Sequence, residues 1–297
     1  MNAAPLTERF DSHGFVRRLH DVPPHEVHEV RVDGRRAVAK FDTGPTGNAS
    51  VEGRVMAFVG EHTSVPVPDV LARGSDFYVA AWHPDAPEPE ADGTPTPEWA
   101  RAAGRGLATL HAETGRLLDS YGQFRASGDL LDGRDDWHEA ARDYVRGYRP
   151  TLRQHGHGDV ADAVLDCLDA HPGVFAGAGD PVCCHGWATP EHVAVRDGEV
   201  ACVVDFEHAI AAPGEFDYWR TVLPAFDGGA AERAFRTGYE SVRDLPDGFE
   251  RRRPAYALLC DVYYLVSLHV QAQHGPAKTE EIASRLRESV FERLDAL

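Results

Sequence analysis

The segment 181–220 constrains the fold of this chain more than any other stretch. An apolar run ends there at His185-Gly186, and two β-branched stretches later surround Asp197-Gly198. Asp-Gly between apolar stretches of this kind is a strong signal for a two-residue hairpin turn. We therefore predict a hairpin over 193–204 that holds the His-Gly loop beside an acidic tip, Asp205-Phe206-Glu207.

A rigid hairpin with a carboxylate at its end is well suited to binding a metal ion. Mg²⁺ is held by carboxylates at fixed octahedral positions, together with phosphate oxygens. Asp205 comes directly after the return strand of the predicted hairpin, and we predict that it is a metal ligand. The alternative is that Asp205 is a strand-end residue in an ordinary turn.

The spacing in this segment resembles the catalytic segment of the aminoglycoside phosphotransferase and choline kinase group, distant relatives of protein kinases. That group reads H-G-D-x-x-x-x-N, then a hairpin, then D-F-G or D-F-E, then Pro-x-x-(Phe/Tyr)-Asp. Here the stretches are HGWATPEH at 185–192, DFE at 205–207 and PGEFD at 213–217. The resemblance implies an α+β, bilobal protein-kinase-like fold, with a small antiparallel-sheet N-lobe over 1–82 and a mostly helical C-lobe over 83–297.

The resemblance also implies roles for three residues of the segment. Asp205 would bind the Mg²⁺ that bridges the phosphates of ATP. His185 would brace the catalytic loop, and Asp217 would accept hydrogen bonds from it. Without the resemblance, His185 could be a semi-buried structural histidine and Asp217 a helix N-cap.

Three features depart from the pattern of the group. Its base Asp falls on Trp187, whose indole donates a hydrogen bond but accepts none. Its metal-binding Asn falls on His192, although imidazole suits Mg²⁺ poorly. At 19–30, LHDVPPHEVHEV replaces a glycine-containing turn over the phosphates, and its two prolines lack amide donors. We predict that Glu191 substitutes as the base, and that His192 makes a second metal contact.

A lysine and a glutamate near the start of the chain complete the resemblance. Lys40, one of only two lysines, ends an alternating strand, and Glu52 lies in the first turn of a predicted helix over 51–62. In the group these residues pair, and the lysine holds the phosphates. We predict a Lys40–Glu52 salt bridge, and adenine contacts with backbone groups from Ala80 to Trp82. Without the resemblance, Lys40 would be a solvated edge lysine and Glu52 an acid favoured by the helix dipole.

Few other features of the chain carry chemistry. The first 20 residues show only weak helical spacing, and residues 83–97 are rich in Pro, Glu and Asp, as is typical of a loop. His111, in a predicted helix, is expected to be a packed residue rather than a ligand. Apolar periodicity predicts further helices over 98–115, 137–153, 159–170, 230–242, 254–274 and 279–297.

Composition excludes several classes of partner. Asp and Glu number 48 against 30 Lys and Arg, and the resulting net charge of −18 opposes binding to nucleic acid or an anionic membrane. No apolar run approaches the roughly 20 residues of a membrane span. The five cysteines, an odd count without a CxxC motif or signal peptide, favour a reduced, cytoplasmic protein.

The low lysine content has two explanations. Acidic excess with little lysine is typical of cytosolic proteins from salt-accumulating organisms. A high-GC genome, which favours codons for Arg, Ala, Gly and Asp, gives a similar composition.

Three hypotheses for function follow from these observations. The first is an ATP- and Mg²⁺-dependent phosphotransferase acting on a small hydroxylated or amine-bearing molecule. The second is a catalytically impaired, pseudokinase-like protein that binds nucleotide or a partner. The third is a relic of the fold that binds neither nucleotide nor metal. The combined loss of base, second metal ligand and phosphate cover favours slow or absent turnover.

Overall fold

A five-stranded antiparallel sheet occupies the first part of the chain in the computed structural model, which describes residues 4–87 and 93–297. The strand order is β1-β2-β3-β5-β4, and one long helix, α2, packs against β4 and β5. The elements of this part are α1 (Ala4–Thr7), β1 (His13–Val22), β2 (His25–Val32), β3 (Arg35–Asp42), α2 (Ala49–His62), β4 (Val70–Arg73) and β5 (Phe77–Ala81).

The hairpin between β2 and β3 is formed by its local sequence. Asp33 and Gly34 take φ angles of 47° and 77°, and the strands pair from Val32↔Arg35 onward. Two positive φ angles in a two-residue loop match the twist of the flanking strands. The apolar positions on one side of the sheet form a small core of their own, which consists of Leu6, Val30, Val32, Ala37, Ala39, Phe77 and Val79.

Strand β1 differs from the prediction for the first 20 residues. The weak helical spacing there is misleading, because residues 13–22 pair with β2 along their whole length. β1 is an edge strand with two register shifts and no buried residue, so it lacks the clean alternation that marks a strand. Its turn into β2 consists of Pro23 and Pro24 alone, so this turn offers no amide donor.

The rest of the described chain is mostly helical around two small sheets. The order β7-β6-β11-β8 forms a four-stranded sheet, and β9 pairs with β10 in the hairpin predicted from Asp197-Gly198. The elements are α3 (Pro97–Thr114), β6 (Tyr121–Phe124), β7 (Leu131–Arg134), α4 (Trp137–Gln154), α5 (Gly158–Ala170), β8 (Pro181–Cys184), β9 (Val193–Arg196), β10 (Glu199–Val203), β11 (Ile210–Pro213), α6 (Gly214–Ala225), α7 (Gly229–Glu240), α8 (Phe249–Gln271) and α9 (Pro276–Ala296).

Helices α3 and α7 approach closely because glycines lie at their contact. A Cβ on Gly104 would collide with the carbonyl oxygen of Phe235, and one on Gly238 with that of Arg101. Glycine is the residue that permits such close backbone approach. The predicted helices correspond to α2, α3, α4, α5, α7, α8 and α9, whereas α6 was not predicted.

Helix α2 is fastened to the helical part of the chain along its length. Just before its first turn, Asn48 Nδ2 donates to the Glu207 carbonyl at 2.6 Å. In its middle, Arg54 donates to the carbonyls of residues 125, 128 and 129 at 2.8–3.0 Å. Just beyond its end, the amide of Ser64 donates to Glu113 on α3 at 2.6 Å.

Two smaller predictions can be compared with the structure. All five cysteines are free thiols, as predicted. The predicted loop over 83–97 contains no helix or strand in its described part before Pro97, and residues 88–92 lie outside the described residues.

Among the described helices, none has the length and apolar character that crossing a membrane requires.

Candidate active site

The His-Gly loop after β8 is held from both sides. The carboxylate of Asp217 accepts from the amide of His185 at 2.6 Å, from the amide of Gly186 at 2.8 Å and from His111 Nε2 at 3.1 Å. On the other side, His185 Nε2 donates to the Val204 carbonyl at 2.9 Å. His111 is fully buried, as a packed residue should be. Asp217 and His185 therefore fix the loop against the hairpin.

The state of His185 agrees with this bracing geometry. Burial lowers its pKa to about 4, and the nearby His192 adds to the effect. A neutral ring with its proton on Nε2 leaves Nδ1 free to accept the amide of Trp187 at 3.2 Å. The next residue, Gly186, has a φ of 86°, and a Cβ there would collide with the carbonyl of His208.

A single lysine joins the sheet, helix α2 and the end of the hairpin. Lys40 Nζ lies 2.7 Å from Glu52 Oε2, 2.9 Å from Asp205 Oδ1 and 2.8 Å from Glu207 Oε2. The predicted Lys40–Glu52 salt bridge is thus present. Lys40 is only 4% exposed, so it is not a solvated edge lysine. We call Lys40, Glu52, Asp205 and Glu207 the lysine cluster.

The lysine cluster holds more acid than base. Burial raises the pKa of Glu52 to about 7, against the pull of Lys40, and the other two carboxylates add to the rise. Burial is the largest single influence on Asp205 and Glu207 and opposes their ionisation, but Lys40 and the neighbouring histidines together lower the pKa of both. Such an excess of buried and partly buried carboxylate attracts a further cation.

His25, at the start of β2, supplies a second positive charge. Its Nδ1 lies 3.0 Å from Glu207 Oε2, and its Nε2 lies 3.3 Å from Asp42 Oδ1. Burial by itself lowers the pKa of His25, but the hydrogen bonds to Asp42 and Glu207 prevail and raise it to about 9. At neutral pH the ring is therefore an imidazolium.

The raised pKa of His25 predicts a pH-dependent stability. Because the folded pKa of about 9 exceeds the ordinary 6.5, the contribution is complete below pH 6.5 and is lost as pH rises through 9. Between pH 6 and pH 10, the wild type should lose about 3 kcal/mol more unfolding free energy than His25→Gln. Urea unfolding at several pH values measures this. His20→Gln, on exposed β1, should follow the wild type; parallel curves for wild type and His25→Gln would contradict the assignment.

The oxygens of the lysine cluster suit a divalent cation. Oxygen atoms of Glu52, Asp205 and Glu207 lie within 4.8 Å of one another. His192 Nδ1 donates to the Trp187 carbonyl at 3.0 Å, which directs Nε2 to 3.3 Å from Asp205 Oδ2. The carboxylates are the ligands that Mg²⁺ and Mn²⁺ prefer, whereas the ring nitrogen of His192 suits either ion less well. Glu207 was not among the predicted ligands, although its place in DFE was a signal.

Trp187 occupies the loop position where the resemblance implies a base. It is half-buried, its Nε1 donates to Glu191 Oε1 at 2.9 Å, and its ring packs edge-on against Tyr264. Glu191 is exposed and also accepts from Thr189 Oγ1 at 3.0 Å. The carboxylate of Glu191 therefore lies beside the indole, and its role as a base stays a prediction.

The end of β5 offers adenine fewer donors than expected. The amide of Ala81 donates to the Asp69 carbonyl at 2.8 Å, and that of Trp82 donates to the Arg36 carbonyl at 3.1 Å. Ala80 is paired on both sides, with Val38 and Val70. Contact of Ala80 and Trp82 with the cofactor stays a prediction, with the amides of Ala81 and Trp82 already bonded within the protein.

A cavity of about 280 Å³ opens beside the lysine cluster. Glu207 and His25 border it at one side, and side chains of α4, α6 and α8 line the rest. Among the lining residues, Arg220 and His208 were not singled out from the sequence. His208 follows the DFE motif directly, whereas Arg220 carries no local signal.

Comparison with known proteins identifies the family. The model of the phosphotransferase enzyme family matches residues 25–255. No curated protein sequence matches the chain.

Solved structures share the fold at low identity. A candidate fructosamine-3-kinase from Thermobifida fusca is 19% identical with a TM-score of 0.67, over 98% of both chains. A similar candidate from Haemophilus somnus is 16% identical with a TM-score of 0.67, over 98% of this chain and 96% of that one. A mutant of the aminoglycoside phosphotransferase APH(4)-Ia, in complex with ADP and hygromycin B, is 15% identical with a TM-score of 0.62, over 98% and 97%.

These likenesses confirm the predicted α+β fold with an antiparallel N-terminal sheet and a helical remainder. Since the family match spans more than half of the 297 residues, the chain belongs to the phosphotransferase enzyme family.

Proposed function

We propose that this protein is an ATP- and divalent-metal-dependent phosphotransferase acting on a small hydroxylated or amine-bearing molecule. The observation that carries the proposal is the lysine cluster, in which Lys40 reaches Glu52, Asp205 and Glu207 within 2.9 Å. Phosphoryl transfer depends mainly on positioning and on neutralisation of charge. A buried lysine beside an excess of carboxylates supplies both elements.

Each residue of the cluster has a distinct task in this proposal. Lys40, held by Glu52, contacts the phosphates of ATP. Asp205 and Glu207 would hold the metal ion, with His192 beside Asp205. A divalent cation held there would supply neutralisation of phosphate charge. The hydrogen bonds of Asp217 and His185 keep the loop in register with these groups.

Transfer breaks the bond between the γ-phosphorus and the oxygen that bridges it to the β-phosphate, and forms a bond to the acceptor oxygen or nitrogen. The acceptor proton goes to Glu191 or to solvent. Because a loose transition state demands little early deprotonation, the reaction tolerates a weak base. Trp187 can accept no proton, so we expect turnover to be slow.

Two substitutions test the assignment of the base. Glu191→Gln keeps an acceptor for the Trp187 indole but removes basicity, and should lower ATP turnover by about 10²-fold, since general-base help is typically worth 10²–10⁴. Trp187→Asp restores the usual base and should raise turnover by a similar factor. The measurement is ADP release over a panel of amino sugars, sugars and amino alcohols. Glu199→Gln, on the same hairpin, is the control.

The possible outcomes separate the proposals. Wild-type activity that is indifferent to Glu191→Gln would refute Glu191 as the base while leaving phosphotransfer in place. A thermal-shift titration with ATP or GTP and Mg²⁺ or Mn²⁺ reports binding independently of turnover. Nucleotide binding without turnover in the wild type would support the pseudokinase alternative, which Trp187 at the base position favours. Absence of any ligand-induced shift in melting temperature would support the third hypothesis, a relic of the fold that binds neither nucleotide nor metal.

A further inference from the structure

Arg220 is a buried cation without a counter-ion. It lies on α6 and is 1% exposed. Its Nε donates to the Gly186 carbonyl and its Nη1 to the Tyr144 hydroxyl, and its guanidinium lies 3.9 Å from the ring centroid of Tyr263. Within residues 4–87 and 93–297, no carboxylate lies within 4.0 Å of its nitrogens, and Nη2 makes no hydrogen bond.

A second buried arginine shows that the fold can neutralise such a charge. Arg252 is fully buried, and its Nε and Nη2 donate to the two oxygens of Glu215 at 2.6 and 2.8 Å. Arg220, only 32 positions earlier in the sequence, has neutral phenols in place of that carboxylate. An arginine cannot shed its proton, so burial without an anion is costly.

Arg220 also differs from Arg252 in what it faces. It lines the cavity of about 280 Å³ beside the lysine cluster, together with the hydroxyl-bearing side chains of Tyr144, Tyr148, Tyr263 and Ser267. A planar guanidinium matches carboxylate and phosphate groups through paired hydrogen bonds. The hydroxyls around it are further donors for such an anion.

The other charged groups that line the cavity are already compensated. Glu207 has Lys40 at 2.8 Å, His25 at 3.0 Å and His208 at 3.0 Å. His25 has its own partners in Glu207 and Asp42. His208 Nε2 lies 3.0 Å from Glu207 and 2.7 Å from the Tyr263 hydroxyl, so this ring also has its partners within the cavity. The unbalanced charge in the cavity is therefore that of Arg220.

We propose that the acceptor substrate carries an anionic group, a carboxylate or a phosphate, which binds to Arg220 in this cavity. With the anion at Arg220, the acceptor hydroxyl points toward Glu207 and the lysine cluster. This placement of the hydroxyl, unlike the anion site itself, rests on the proposed phosphotransfer. The volume suits a compact molecule. The acceptor is thus a small hydroxylated acid or phosphate ester, which is a different class from a cationic amino sugar.

Binding without nucleotide tests the anion site directly. Calorimetric titrations with glycerate, glycerol 3-phosphate, glycerol and ethanolamine, at constant ionic strength, compare anionic, neutral and cationic probes of similar size. One of the two anionic probes should bind at least about tenfold more tightly than glycerol, since hydrogen bonds to charged groups are worth about that factor or more. The anionic probe that binds also shows whether the site takes a carboxylate or a phosphate.

Substitutions then assign the preference to Arg220. Arg220→Gln should abolish it, whereas Arg220→Lys should keep part of it, because lysine offers charge without the paired geometry. Arg253→Gln makes the same change at an exposed arginine over the Trp219 ring, and should keep it fully. If Arg220→Gln does not fold, a weakened preference for the anionic probe in Arg220→Lys would still assign the site to Arg220. Equal binding of all four probes by wild type, or an anion preference unchanged in the Arg220 variants, overturns the proposal.

ATP turnover with the same four probes and an amino sugar separates this inference from the proposed function. If no acceptor is phosphorylated while the Arg220-dependent preference holds, the phosphotransfer proposal fails and the anion site stands. If turnover occurs only with neutral or cationic acceptors, and Arg220→Gln leaves their KM unchanged, the anion site fails and phosphotransfer stands.

Discussion

Asp205→Asn should abolish the metal-dependent part of nucleotide binding and lower ATP turnover by about 10²–10³-fold, the usual loss when one charge-stabilising group is removed. Asp205 is the carboxylate of the lysine cluster that also lies beside His192. Asparagine keeps the shape of the side chain and tolerates the φ of 67° at this position. The measurements are the shift in melting temperature with ATP and Mg²⁺, and ADP release.

A matched control is available on the same hairpin. Asp197 also has a positive φ, 52°, and is exposed at the turn, so Asp197→Asn makes the same chemical change away from the cluster. This variant should respond to ATP and Mg²⁺ as the wild type does. Equal ligand-induced shifts for Asp205→Asn and wild type would show that the metal binds elsewhere.

Lys40→Met should destabilise the protein by about 3–5 kcal/mol, because it leaves the buried Glu52 and the partly buried Asp205 and Glu207 without their shared cation. Mg²⁺ at millimolar concentration should restore part of this loss, since the freed oxygens are ligands that the ion prefers. Adding Glu52→Gln to Lys40→Met should also recover stability, as it removes one of the unpaired acids. Urea unfolding with and without Mg²⁺ measures all three effects.

The only other lysine provides the control for this experiment. Lys278 is exposed and lies 3.0 Å from Glu281 on α9, so Lys278→Met should change the unfolding free energy by less than about 1 kcal/mol. A Lys40→Met protein as stable as the wild type would contradict the charge balance proposed for the cluster.

Parts of the site that depend on local chemistry could be predicted from the sequence. Asp197-Gly198 fixes its hairpin through two positive φ angles, and this hairpin places Asp205 at its end. The Lys40–Glu52 pair was predicted because both residues fall at the expected positions of the family that the sequence resembles. Their side chains lie 2.7 Å apart in the structure. These features need only turn geometry and the alternation of a strand.

Other parts depend on residues far apart in the chain. Arg220 is recognisable as special only when Tyr144, 76 residues earlier, lies against it and Asp217, three residues before it, is seen to bond to the loop instead. The charge of His25 likewise depends on Glu207, which lies far from it in the sequence, within the segment 181–220. No spacing rule reports such contacts, because they are set by the packing of separate elements.

The attachments of α2 restrict how far this helix can move relative to the helical part of the chain. Helix α2 carries Glu52, and Asn48, Arg54 and Ser64 bind it to the helical part of the chain. In protein kinases, activity is controlled by the position of the corresponding helix relative to the lysine. Here such a swing would break all three attachments. If the protein binds a nucleotide as proposed, the ligand would therefore have to enter and leave without such a swing of α2.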